Sequence, residues 1–396
     1  MLDPAAALAV PTPWRDRKRW LWLLGLVVPL FPFAAAAMAL GAGWRLGWWL
    51  GPLFILIAVP LLDAVLGTDT ANPPDSAEPQ LEADRYYRWC TFLFLPLQYA
   101  SLVAACAVVA QHPALAWSDW LGFALTVGAV GGIAINTAHE LGHKKPRIEK
   151  LLAKIALAQT AYGHFYVEHN RGHHNRVATP EDPASARLGE SFWAFWPRTV
   201  VGSLRSAWEL ERARLERHRL SPWTWRNDVL QAWAMSAGLF AGLTLAFGPQ
   251  ILGFLAVQAV FGFSLLEVVN YLEHYGLRRQ LGPDGKAERC TPQHSWNSNH
   301  LASNLLLYHL ERHSDHHAWP ARRYQCLRHF DESPQLPTGY GGMLVLALVP
   351  PLWRAVMDPR VVAHYAGRVE LAHLHPSKRE ALIARWGQTA ARQGQA

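Results

Sequence analysis

Nine histidines fall in four short motifs: His139-Glu-Leu-Gly-His143, His169-Asn-Arg-Gly-His173-His174, His274 within Asn-Tyr-Leu-Glu-His-Tyr-Gly, and His313-Ser-Asp-His316-His317. Imidazole is a nitrogen ligand suited to Zn, Cu, Fe and Ni. Histidines three or four apart on a helix project from one face, close enough to bind one metal or two neighbours. His139/His143, His169/His173 and His313/His316/His317 obey that spacing. One isolated pair is as easily a surface feature; three clusters plus His274 read as one metal centre. A catalytic zinc takes about three protein ligands, so nine histidines are more economically shared between two metals. Glu273, Asp182, Glu140, Glu168 and Asp315 are the nearest carboxylates in sequence that could orient the imidazoles by accepting the second ring N–H. Glu273 and Asp182 rank first, although each of the five is equally a helix cap or a solvated charge.

The elements that must position these residues are apolar and long. The chain has 396 residues, 51% of them hydrophobic, with 19 Trp, and its mean hydropathy is close to zero. That average combines membrane spans with a polar part rich in His, Arg and Pro. Runs long enough for a hydrocarbon core of about 30 Å occur near 20–41, 47–66, 88–110, 117–138, 229–248 and 250–271. Several are edged by Trp and Tyr, as expected at a headgroup boundary. The expected fold is all-α: six transmembrane helices and a helical, histidine-rich cytoplasmic region. Its parts are a cytoplasmic segment 1–19, a membrane domain 20–271 with a cytoplasmic insertion 143–226, and a C-terminal region 272–396 that completes the metal site.

The first run follows Arg15, Arg17, Lys18 and Arg19. It exceeds the usual signal-peptide core of about 7–15 residues, so it reads as a retained anchor. Basic loop residues place the N-terminus in the cytoplasm, and six spans return the C-terminus to the same side. The segment after span four carries Lys144, Lys145, Arg147, Lys150 and Lys154, whereas 111–118 and 248–250 lack Lys and Arg. All four histidine motifs then fall on the cytoplasmic face, although histidine played no part in assigning the topology.

Several functions are disfavoured. Cys90, Cys106, Cys290 and Cys326 form no C-x-x-C, which argues against structural zinc and iron–sulfur clusters. His139-Glu140-Leu-Gly-His143 matches the H-E-x-x-H of zinc proteases with Glu140 as base, yet an intramembrane protease would leave most other box histidines without purpose. A metal transporter or haem protein would carry histidines inside its spans. The net charge of +7 is dispersed, with no nucleic-acid-binding module; it suits an acidic partner, though positive loop bias explains it equally. His309 and His164 lie close to boxes but outside the ligand set. Asp63 and Asp69 end span two, and a carboxylate there seeks a partner. The run from Met343 to Val356 is too short to span comfortably, and the last dozen residues are expected to be disordered.

At these residues the chain resembles the bacterial integral-membrane alkane 1-monooxygenases, within the membrane fatty acid desaturase and hydroxylase superfamily. The resemblance rests on His139-Glu-Leu-Gly-His143-Lys144, Glu168-His169-Asn-Arg-Gly-His173-His174, Asn270-Tyr-Leu-Glu273-His274-Tyr-Gly-Leu277 and Leu310-Glu-Arg-His313-Ser-Asp-His316-His317. It runs from Pro60-Leu-Leu-Asp63 to His317. Glu311 departs from the expected Gln. The resemblance implies two non-haem Fe ions on the nine histidines, O2 as co-substrate, and hydroxylation of an alkane's terminal methyl. It further implies electrons from rubredoxin with a rubredoxin reductase upstream, and residence in the bacterial inner membrane among lipids that deliver the substrate. No dinucleotide fingerprint or rubredoxin-type cysteine set is present, so the donor must be a separate protein. A xylene-type or fatty-acyl hydroxylase or desaturase shares the box pattern.

Overall fold

The computed structural model describes residues 14–393. Six helices are long and apolar enough to cross a membrane: Arg19–Gly41, Arg45–Leu66, Arg85–Gln111, Trp117–Gly142, Asp228–Phe247 and Pro249–His274. They coincide with the six expected runs, and spans four and six extend further at their C-terminal ends, to Gly142 and His274. The protein is a helical, multi-pass membrane protein. Among the described residues there is no strand, only isolated bridges such as Thr68 with His300 and Leu188 with Leu374.

Local chemistry sets the helix ends. The Asp84 carboxylate accepts from Tyr86 N (2.9 Å) and opens span three. Asn227 Oδ1 accepts from Val229 N at 2.8 Å and opens span five, a side-chain cap of the usual kind. Span five stops at Gly248, whose φ of 89° lies in the left-handed region that favours glycine.

Span four is the axis of the bundle. Of its most apolar window 83% is buried, against 22% for span five, so the other helices surround it. It crosses span six at Gly128, Gly132 and Gly262. A Cβ on Gly132 would lie 2.9 Å from Gly262 O, and one on Gly128 would lie 2.6 Å from Gln258 O. Lipid supplies no hydrophobic drive between helices, so small residues that admit close backbone contact hold such crossings together. The outward faces carry side chains such as Val65 and Leu245, both more than 80% exposed, as a lipid-facing surface requires.

Further helices gather at the end of the bundle where spans four and six finish. They include Arg147–Ala158, Phe192–Arg217, Leu301–Leu306 and His313–Ala318. The apolar run around Met343 forms no single crossing: Tyr340–Ala347 and Pro350–His364 meet at 120°. Buried Met343, Ala347, Trp353 and Met357 pack that bent pair into the main core with Tyr271 and Tyr275.

Helix Arg379–Gln393 takes in most of the last dozen residues, and 394–396 lie outside the described residues. Its anchors are hydrogen bonding and packing: Lys378 Nζ donates to Gly189 O at 2.7 Å, and Leu382 is buried against the same loop.

Candidate metal centre

Each histidine box ends or forms a helix that points at one place. His139 lies on the last turn of span four and His143 just beyond it. His274 is the last residue of span six. His169, His173 and His174 lie on a continuous helical stretch, residues 165–176, the middle of which is wound wider than an α-helix. Such local widening recurs at functional sites. His313, His316 and His317 share the short helix His313–Ala318. Before it, Tyr308 and His309 adopt left-handed φ values of 50° and 55°, a cost of about 1–2 kcal/mol per residue. This turn reverses the chain so that the last box faces the other three, and His309 N donating to Asn304 O at 2.8 Å holds it.

The nine side chains converge in two groups. His139, His143, His169, His174 and His316 form one, and His173, His274, His313 and His317 the other, each with its candidate ligand atoms within 4.8 Å of one another. The Nε2 atoms crowd together: His169 to His143 3.1 Å, His174 to His169 3.0 Å, His316 to His174 3.1 Å, His317 to His313 2.8 Å. Burial pushes the imidazoles of His143, His169, His174, His313, His316 and His317 well below their usual pKa, which leaves them neutral. A neutral imidazole has one N–H, so facing nitrogens at this density cannot all be satisfied by one another. His139 Nε2 is buried without a hydrogen-bond partner. Cations between the rings resolve the conflict, so the residues fit metal ions.

The five carboxylates separate into two kinds. Asp182 Oδ2 lies 2.9 Å from His173 Nδ1, so that nitrogen carries the proton and Nε2, 3.2 Å from His317 Nε2, offers its lone pair to the centre. Burial alone would raise the Asp182 pKa, but His173 and a hydrogen bond from Ser185 hold it well below the usual carboxylate range. Glu273 is placed differently: Oε2 lies 3.1 Å from His313 Nε2, on the inward side of the ring, while Oε1 accepts from Tyr340 OH at 2.7 Å. The other three reach cations instead. Glu140 pairs with Lys144 at 3.1 Å, Glu168 with Arg176 at 2.8 Å, and Asp315 with Arg322 at 2.7 Å. Burial raises Glu168 to about 7 against the pull of Ser206 and Arg176.

Three features were not legible from histidine spacing. Tyr340 reaches the site because glycines flank it: a Cβ on Gly339 would strike the Asp63 carboxylate, and one on Gly341 would lie 3.0 Å from Ile55 O. The Gly-Tyr-Gly-Gly run was the available signal. Lys144 is buried, and its Nζ also donates to Arg322 O at 2.7 Å, tying the first box to the segment after the last. Asp63 accepts from Ser303 N at 2.9 Å and Ser303 Oγ at 2.5 Å, the partner its position demanded. His309 bonds Lys18 Nζ at 3.1 Å and Tyr324 O at 2.9 Å and so fixes the N-terminal segment, and His164 is buried against Tyr162.

An apolar cleft runs from the histidines between spans two, four and six. His139, His169, His313 and Glu273 line its head; Phe54, Ile55, Ile133, Leu265, Val269 and Leu344 are among its apolar walls. A second apolar chamber shares Ile55, Leu265 and Leu344 with it and is also lined by Phe192, Trp193 and Trp196.

The Fatty acid desaturase family model matches residues 116–377. The alkane 1-monooxygenase of Acinetobacter baylyi is 45% identical over 380 residues, covering 94% of this chain and 92% of that protein. The alkane 1-monooxygenase of Ectopseudomonas oleovorans is 44% identical over 391 residues, covering 99% of this chain and 97% of its own. By contrast, the xylene/toluene monooxygenase hydroxylase component of Pseudomonas putida is 28% identical over 238 residues, 60% of this chain. The similarity thus extends over the spans, the four boxes and the cleft alike, and the chain belongs to the alkane 1-monooxygenase family of membrane oxidoreductases.

Proposed function

We propose that this protein hydroxylates the terminal methyl of alkanes to 1-alkanols, with two iron ions held by the nine histidines. The observation that carries this reading is the junction of five-histidine and four-histidine groups with an apolar cleft. The bound metals would supply dioxygen reduction, a chemistry no side chain here can perform. Co-substrates are O2 and electrons from rubredoxin through its reductase. The protein resides in the bacterial inner membrane with both termini and the site on the cytoplasmic side, an orientation that the basic loops support.

The chain's own residues do the rest. An alkane has no polar group to grip, so its orientation comes from apolar walls narrow enough to admit it end-on. Phe54, Ile133, Leu265 and Val269 supply such walls, and the terminal methyl is presented at the end where His139, His169 and His313 stand. Asp182 fixes the tautomer of His173, and Tyr340 holds Glu273 against the cluster. The dry cleft excludes water from the reacting carbon. Similarity over the full length favours an alkane over the xylene-type substrate.

The test uses purified, detergent-extracted protein: elemental analysis, then octane with O2, rubredoxin, its reductase and NADH. About two irons per chain and 1-octanol formation are expected. A single zinc without alcohol would refute the reading.

A further inference from the structure

Span six carries a second buried carboxyl besides Glu273. Glu267 lies two helical turns before His274, about 10 Å along the axis at 1.5 Å per residue. Tyr162 OH donates to its Oε1 at 2.7 Å, and Asn270 Nδ2 donates to its Oε2 at 3.2 Å. From the adjoining helix Phe192–Arg217 the Thr199 hydroxyl meets the same carboxyl. Thr199 is fully buried, and its Oγ1 has no other hydrogen-bond partner. Trp196 Nε1 clamps that helix to span six by donating to Ser264 Oγ at 2.9 Å. The ionisable groups that face Glu267 are Tyr162 and the His173 ring, and among the described residues no lysine or arginine pairs with it. A carboxylate without a cation is costly at that depth, so the group holds its proton.

Thr199 begins a ladder. Thr199, Ser203 and Ser206 follow one another at i, i+4 and i+7 on the buried face of their helix, where successive side chains are neighbours. A helix face turned into protein is ordinarily apolar, so three hydroxyls in line call for another reason. At the far end Arg176 donates to Ser206 Oγ at 2.5 Å and to Glu168 Oε1 at 2.8 Å, and its side chain is 31% exposed. At the near end Asn270 lines the cleft together with His139, His169 and Glu273.

We propose that this line is a proton inlet: protons enter at Ser206 beside Arg176, pass Ser203 and Thr199, and are held on Glu267 until drawn past Asn270 into the head of the cleft. The inference rests on the monooxygenase reading. One turnover consumes O2, two electrons and two protons; one oxygen atom is inserted into a terminal C–H bond and the other leaves as water. The external carrier supplies the electrons, and the protons must come from solvent to a site walled by apolar side chains. Glu267 gives its carboxyl proton toward the cleft and regains one through Thr199, whose hydroxyl is resupplied along the ladder, so each group ends the transfer as it began. Single waters between hydroxyls one turn apart complete the hydrogen-bonded path. Tyr162 and Asn270 are positioning residues that hold the two carboxyl oxygens.

The test compares wild type with Glu267→Gln, Glu267→Asp and Thr199→Val as iron-loaded full-length protein in detergent, with octane, O2, rubredoxin, its reductase and NADH. Glu267→Gln keeps the shape and loses the acid, so kcat should fall roughly 100-fold, the low end of what a positioned acid contributes. KM for octane and iron content should stay unchanged, and Glu267→Asp should recover part of the rate. Thr199→Val removes the hydroxyl at nearly constant volume and should lower kcat while raising the solvent deuterium isotope effect on it. Independently of turnover, the infrared spectrum of wild type should contain a carboxylic-acid C=O band that Glu267→Gln lacks and whose shift in D2O is slower in Thr199→Val. Wild-type kcat and isotope effect in Glu267→Gln, or the same carboxylic-acid bands in both proteins, would overturn the proposal. Because Glu267→Gln could disturb packing, Thr199→Val, which alters no ionisable group, is the second check: an unchanged kcat and isotope effect there refutes the ladder. Absence of alcohol from wild type would instead overturn the monooxygenase reading and leave the infrared comparison standing.

Discussion

Replacing Asp182 by Asn exchanges one carboxylate oxygen for an NH2 and should disarm one metal position. Asp182 Oδ2 faces His173 Nδ1 at 2.9 Å and Ser185 Oγ at 2.6 Å, while Oδ1 accepts from Ala184 N at 3.1 Å. An amide has one oxygen for those two sides. With that oxygen toward His173, the NH2 confronts the buried Ala184 N–H and leaves a donor unsatisfied, a cost of about 1–3 kcal/mol. With the oxygen toward Ala184, the NH2 forces His173 to accept at Nδ1 and carry its proton on Nε2, which faces His317 Nε2 at 3.2 Å and can then no longer ligate. Loss of such an outer partner typically lowers metal affinity about 10–100-fold, or about 1.4–2.7 kcal/mol. Because His173 belongs to the four-histidine group, one metal should be lost well before the other. The assay is iron retained per chain during a chelator titration, with the thermal midpoint recorded in parallel. A chelator profile identical to wild type would show that Asp182 does not set the His173 tautomer.

Three other outcomes follow from the geometry. Lys144→Met should strand the buried Glu140 carboxylate and destabilise the fold by about 3–5 kcal/mol, since breaking one half of a buried ion pair leaves an uncompensated charge. Adding Glu140→Gln should recover much of the melting temperature, and no recovery in the double variant would contradict the pairing. Leu265→Trp, on the wall shared by the two apolar chambers, should shorten the alkanes accepted, with about a fourfold loss in kcat/KM per excluded methylene at about 0.8 kcal/mol each. Gas chromatography of the alcohols across a chain-length series decides it, and an unchanged profile counts against the cleft. Finally, burial first, then Arg187, Arg198 and Arg278, lower the His373 pKa from 6.5 to about 4. A depressed folded pKa contributes stability that is complete above pH 6.5 and is lost as pH falls toward 4, up to about 3 kcal/mol at 1.36 kcal/mol per unit. His373→Gln should flatten the fall in melting temperature across that window; a parallel fall in both proteins would exclude His373 as the titrating group.

Much of the architecture was readable without coordinates because two physical demands are local. A membrane span needs about 20 consecutive apolar residues, so the six spans could be counted along the chain and their ends placed to within a few residues. Histidines three or four apart on a helix project from one face, so those in clusters could be named along the chain from His139 to His317, with His274 added from its own motif. Basic residues around the loops gave an orientation that put the four boxes on one side. The family resemblance lay in the same short motifs.

Tertiary structure alone divided the nine into five and four, because that partition depends on where four separate helix ends meet in space. It also sorted the carboxylates. Glu140, Glu168 and Asp315 stand next to box histidines in sequence but turn toward Lys144, Arg176 and Arg322, since side-chain direction on a helix is set by its rotamer and its neighbours, not by sequence adjacency. Tyr340 enters the site from 27 residues after His313 through a backbone approach that only glycines permit. The turn that leads into the C-terminal helix is held to a loop some 190 residues earlier, where Lys378 Nζ donates to Gly189 O. Composition and spacing therefore determined what the chain is made to hold, and long-range packing decided which side chain faces which atom.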